Sequence, residues 1–120
     1  MDKEKSVQEL KEMVKKFCEV RDWDKFHNAK DLAIGVSTEA SELLEHFRFK
    51  SEEEIIEIFN DKNKVLEISE EIADVFYFLL RFSQKYNIDL SKALINKTKK
   101  NEARYPIEKF KGKNKKYNEL

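Results

Sequence analysis

An all-α fold, a helical bundle of four to five helices, is what this sequence predicts, on three observations. Two glycines and one proline in 120 residues are too few for the tight turns of a sheet protein. Apolar residues recur at three- and four-residue spacing over stretches free of breakers. Capping residues stand just ahead of several of those stretches. A chain of this length favours one domain, and so small a subunit buries a modest core that a partner copy often completes. Oligomerisation, to a homodimer or homotetramer, is therefore expected.

The first helix is expected from about Lys3 to Val20, with Val7, Leu10, Val14 and Phe17 as its apolar stripe. Residues 21–28, "RDWDKFHN", break the pattern and read as a structured loop, with Asn28 as N-cap of the next helix. That second helix, about Ala29 to Phe47, carries Leu32, Val36, Ala40, Leu43 and Phe47 and tolerates Gly35 inside it. "SEEE" at 51–54 fits a capping box that opens a short helix through about Phe59. After the turn at 60–64, a broad face of Val65, Ile68, Ile72, Val75, Phe76, Leu79, Phe82 and Tyr86 marks what should be the most deeply buried helix. Asp89 should cap a last long helix that ends near Tyr105, because Pro106 disfavours helical geometry before it. Residues 1–106 thus read as one domain and 107–120 as a lysine-rich tail, mobile or late to dock.

Composition excludes several function classes. Lysine plus arginine (24) equals aspartate plus glutamate (24), so net charge argues against a general nucleic-acid binder. Cys18 is the only cysteine, which rules out an intrachain disulfide and a zinc-finger array and fits a reducing cytoplasm. The N-terminus lacks a secretory apolar run, and no stretch approaches the ~20 apolar residues that span a bilayer. No membrane role is expected.

The acidic residues are more informative. At about 100° per residue with Val36 at zero, the second helix's apolar stripe covers roughly 320° to 80°, with Glu39 near about 300° and Glu42 near about 240°. Both flank the core, whereas Glu45, near about 180°, points to solvent. With Ile72 at zero on the fourth helix, Glu71 falls near about 260° and Asp74 near about 200°. Each helix so offers an acid-x-x-acid pair with its two side chains one turn apart. If the helices pack antiparallel, four carboxylates converge, and their repulsion at a half-buried seam calls for a cation. Oxygen ligands select hard ions, Mg²⁺ or in its place Mn²⁺. A ferritin-like di-iron site would need Glu-x-x-His pairs on two helices, and neither pair supplies one. His46 is read as an exposed or locally bonded side chain, not a ligand.

Four segments in order, "RDWDKFH", "GVSTEASELLEHFRFKS", "EEIADVFYFLLRF" and "KTKKNEARYP", resemble the all-α nucleoside triphosphate pyrophosphatases, the MazG-like superfamily, and within it the dCTP pyrophosphatase branch. The resemblance covers about residues 14–106. It implies Glu39, Glu42, Glu71 and Asp74 as Mg²⁺ ligands, the four that the helical wheels select. It also implies cleavage of a nucleoside triphosphate between the α and β phosphates, to monophosphate and pyrophosphate, by a dimer or dimer of dimers. A ligand glutamate, Glu39 or Glu42, would take the proton from the attacking water. Lys97, Asn101 and Arg104, with Tyr105 at the helix end, match the family's phosphate-contacting segment. Trp23, Phe26 and His27 match the substrate-binding loop, whose aromatic rings can stack on a base. Phe49 stands where the dCTP pyrophosphatases carry tryptophan, Phe78 where they carry tyrosine, and Val14 where they carry histidine. Those departures bear on the base, for which dCTP or a modified or related pyrimidine nucleotide is the first expectation. Two rivals predict other outcomes: an inactive binding or regulatory module on the same fold, and nucleic-acid binding through the tail, which would be strongly salt-sensitive.

Overall fold

The computed structural model describes residues 1–119, and every element among them is helical. Two compact units divide the chain, Met1–Asn87 and a second that opens at Ile88.

In the first unit, α1 spans Val7–Glu19, α2 Ala29–Glu45, α3 Glu52–Phe59 and α4 Lys62–Lys85, with a 3₁₀ turn at Asp24–Phe26. Each start is fixed by a side chain that takes an orphaned backbone N–H. Asn28 Oδ1 accepts from the Asp31 N–H at 2.8 Å, and Asp61 Oδ1 accepts from the N–H groups of Asn63 and Lys64. Ser51 and Glu54 form the expected capping box. A second such box, Ser6 with Glu9, starts α1 at Val7 instead of near Lys3. At its other end α2 closes at Glu45, two residues before the expected Phe47.

The centre of the unit is α4, which packs most extensively on α2, then on α1, and briefly on α3. Pairings of Gly35 with Phe78 and of His46 with Glu71 run α2 and α4 antiparallel. The core is small: Val14, Cys18, Leu32, Ile68 and Leu80 are its buried apolar members. As expected, α4 carries the most buried residues of any helix described, Ile68, Leu80, Arg81 and Ser83, but part of its expected apolar face is open. Ile72 is 52% exposed, Phe76 40% and Leu79 42%. Tyr77 turns toward Cys18 and Phe17 of α1, Phe78 toward Gly35 of α2, and the Ile72–Phe76–Leu79 stripe lies where neither helix covers it.

In the second unit, α5 spans Leu90–Arg104, followed by a single turn, α6 (Ile107–Phe110), and a 3₁₀ turn at Tyr117–Glu119. Asp89 caps α5 through the Lys92 N–H. The Tyr105 ring meets Phe110 and Tyr117 edge-on, and Arg104 lies over the Tyr117 ring, so part of the lysine-rich segment folds back on the end of α5. No helix is long and apolar enough to cross a membrane among the described residues.

Candidate active site at the seam of α2 and α4

Antiparallel packing brings Glu39 of α2 opposite Glu71 and Asp74 of α4, with one carboxylate oxygen of each within 4.8 Å of the others. Gly35 sets that spacing. A β-carbon on it would press into the Phe78 ring, so the bare backbone lets the helices approach one turn before Glu39 on α2 and one turn after Asp74 on α4. Glu42 stands outside the group of three but still acts on it by charge.

No lysine or arginine pairs with Glu39 or Asp74 among the described residues. Partial burial first, then the charges of Asp74, Glu71 and Glu42, lifts the Glu39 carboxyl above the usual carboxylate range. Three like charges, two of them partly buried and Asp74 exposed, with oxygen donors only, fit a hard divalent cation such as Mg²⁺. His46 Nε2 lies 3.7 Å from Glu71 Oε1 and is the nearest nitrogen partner of the set. Beside it opens a cleft of about 430 Å³, lined by Glu42, Glu45, His46, Lys50, Ile58, Lys64, Glu67 and Glu71.

The loop before α2 carries Trp23, Phe26 and His27. Trp23 stands edge-on to Phe17 and His27, Phe26 is largely exposed, and His27 is partly buried. What holds this loop is a residue that the helical wheel misses. Arg81 of α4 is 1% exposed and donates to Asp24 Oδ1 at 2.7 Å, His27 Nδ1 at 3.0 Å and Gln84 Oε1 at 2.6 Å. Lys85 adds a bond to the Asp24 carbonyl. The sequence signal was present: one arginine inside the apolar run "FYFLLRF".

The remaining expected site residues lie on other segments. Phe49 follows α2 with φ of 62°, a left-handed conformation that strains a residue with a bulky side chain. Its ring is 89% exposed and lies beneath the Arg48 guanidinium. Phe78 packs on Gly35 and edge-on to Tyr77, and Val14 is buried in the core. Lys97 and Arg104 on α5 are exposed, Asn101 is half-buried between them, and Tyr105 closes the helix.

The sequence model of the MazG-like family matches residues 34–120. The chain is 30% identical to dCTP pyrophosphatase 1 of Rattus norvegicus, over 98% of this chain and 69% of that protein. Identity to dCTP pyrophosphatase 1 of Homo sapiens is 27% over the same shares. Among solved structures, a pyrophosphatase from Archaeoglobus fulgidus superposes with a TM-score of 0.77 at 37% identity, over 83% of this chain and 92% of that one. The chain belongs to the MazG-like family, as a hydrolase of the nucleotide pyrophosphatase type.

Proposed function

We propose that this protein is a Mg²⁺-dependent pyrophosphohydrolase of dCTP or a related or modified pyrimidine nucleotide, cleaving between the α and β phosphates. The observation that carries the reading is the Glu39–Glu71–Asp74 group, three converging carboxylates with no lysine or arginine on Glu39 or Asp74 among the described residues. The pyrimidine preference rests on the similarity to proteins named dCTP pyrophosphatase 1.

Glu39, Glu71 and Asp74 would hold the ion, with Glu42 one turn along α2 as a fourth carboxylate. An ion held there would neutralise triphosphate oxygens and acidify a water for in-line attack. The chain's own groups do the rest. Either Glu39 or Glu42 would accept the proton from that water. Trp23, Phe26 and His27 would stack on and read the base, joined by Phe49, whose strained backbone and exposed side chain suit a residue kept for contact. Phe78, against Gly35 and one turn beyond Asp74, would also reach the base, and Lys97, Asn101, Arg104 and Tyr105 would serve the phosphates.

The protein would work as a homodimer or a dimer of dimers. The exposed Ile72–Phe76–Leu79 stripe, with Met13 and Val20 exposed on α1 and at its end, supports an interface between copies. Residues 1–106 would form the catalytic domain and 107–120 an appended tail.

A panel of triphosphates with Mg²⁺, products identified by phosphorus NMR, tests the reading. Monophosphate plus pyrophosphate is expected, fastest from pyrimidine deoxynucleotides. Release of γ-phosphate as inorganic phosphate would overturn it.

A further inference from the structure

Arg81 is the most buried charged side chain in the molecule's described core, yet it is not among the expected site residues. Its bonds all run one way. A guanidinium has N–H donors and no acceptor, so each atom that it meets must present a lone pair. Asp24 Oδ1 and Gln84 Oε1 do so in any protonation state that matters. His27 Nδ1 does so in one only: with Arg81 Nε–H donating to it at 3.0 Å, Nδ1 carries no proton, and the ring's proton must be on Nε2. Nε2 has no partner of its own among the described residues, since the other contacts of this ring are an edge-on Trp23 and the Arg81 bond.

The same fork fixes where the ring stands. Asp24 opens the 3₁₀ turn and His27 follows it, so two points of the loop three residues apart are tied to one planar group on α4. Lys85 ties the backbone of Asp24 as a third point. A planar fork bound at several points leaves the loop little freedom to turn the imidazole. The charged groups facing His27 are Arg81 and Lys85 of α4 and Asp24 of its own loop.

We propose that Arg81 is a positioning residue that locks His27 as the Nε2–H tautomer, so that Nε2 donates a hydrogen bond to an acceptor on the nucleotide base, a carbonyl oxygen or an unprotonated ring nitrogen. A cytosine ring presents both kinds of acceptor. The inference deepens the proposed function and rests on it for one point, that this loop receives the base.

Two measurements on the full chain separate the parts. The first is two-bond ¹H–¹⁵N correlation of the histidine rings. Only His27 and His46 contribute, and the H27N spectrum assigns them. His27 should show an unprotonated Nδ1 and a protonated Nε2 at neutral pH, and Arg81→Gln should replace that pattern with a mixture of tautomers. A wild-type ring protonated on Nδ1, or a pattern that R81Q leaves unchanged, overturns the inference whatever the enzyme does.

The second measurement is a kinetic split. His27→Asn keeps an oxygen where Nδ1 was, so it can still accept from Arg81, but it lacks the Nε2 donor. It should raise KM for a pyrimidine triphosphate about tenfold with kcat little changed, the worth of one hydrogen bond. R81Q should raise KM in the same way, and Arg81→Lys, which keeps charge but not the fork, should fail to rescue it. An unchanged KM in H27N overturns the base contact. If the wild-type spectrum is as expected but no nucleotide yields pyrophosphate, the fault lies in the proposed function and not in the tautomer lock.

Discussion

Two sides of α4 treat charge in opposite ways. Toward α2, Glu39, Glu71 and Asp74 crowd together with no lysine or arginine on Glu39 or Asp74 among the described residues. Toward the loop after α1, Arg81 is buried and every direction of its fork meets an acceptor. The first arrangement destabilises the chain unless something is added, while the second is complete by itself. The contrast separates a site from a brace: polar groups that hold a fold find their partners within it, whereas groups that bind a ligand are left wanting one.

The largest effects should come from the incomplete side. Glu39→Gln or Asp74→Asn should lower turnover by about a thousandfold or more, since several kcal/mol of electrostatic stabilisation is lost. Without divalent ions the same variants should melt at equal or higher temperature than the wild type, because one of three repelling charges is gone. A drop in both activity and melting temperature would mean that these carboxylates are part of the brace after all.

Arg81→Met should behave in the reverse sense. Losing charge-assisted bonds from a fully buried group should cost about 2 kcal/mol of stability in urea denaturation, with divalent ions present or absent. Equal stability would remove Arg81 from the brace.

Gly35→Ala probes the spacing between the two sides. Helix propensity favours alanine, but its β-carbon must push the Phe78 ring aside, for a net cost of about 1–2 kcal/mol. Combining G35A with Phe78→Leu should recover most of that loss, and a double-mutant cycle would show the coupling.

The smallest effect is the acid response of the brace. Burial pulls the Asp24 carboxyl up, but the charges of Lys85 and Arg81 and the Arg81 hydrogen bond outweigh it and hold the group below its ordinary value. A depressed carboxyl stabilises the fold above its unfolded pKa, and that stability is lost as pH falls through its folded value. Asp24→Asn should therefore lower stability slightly at neutral pH, leave the low-pH end little altered, and so flatten the acid limb of the stability curve.

The same contrast explains what could be read from sequence. Asn28, Ser51 and Asp89 are local signals, each acting three residues away, and each caps its helix as expected. The three converging carboxylates also follow from local spacing, because helix periodicity alone puts Glu39, Glu71 and Asp74 at the edges of their stripes. What local patterns miss is the identity of the neighbour. A helical wheel sets Arg81 opposite Ile72 and so to solvent, but the loop after α1 meets Arg81 while Ile72 is left open. Gly35 reads as a tolerated weakness in a helix until Phe78 is seen against it. Glu42 shares the spacing of Glu39, and only the placing of α4 separates their distances to the site.

The claim on which most depends is that the α2–α4 seam binds a divalent cation, and Mn²⁺ uptake followed by electron paramagnetic resonance tests it without reference to any substrate. The wild-type chain should deplete the free Mn²⁺ signal saturably, Mg²⁺ should compete, and D74N and E39Q should lose most of that uptake while remaining folded. Undiminished uptake by both variants would contradict the account.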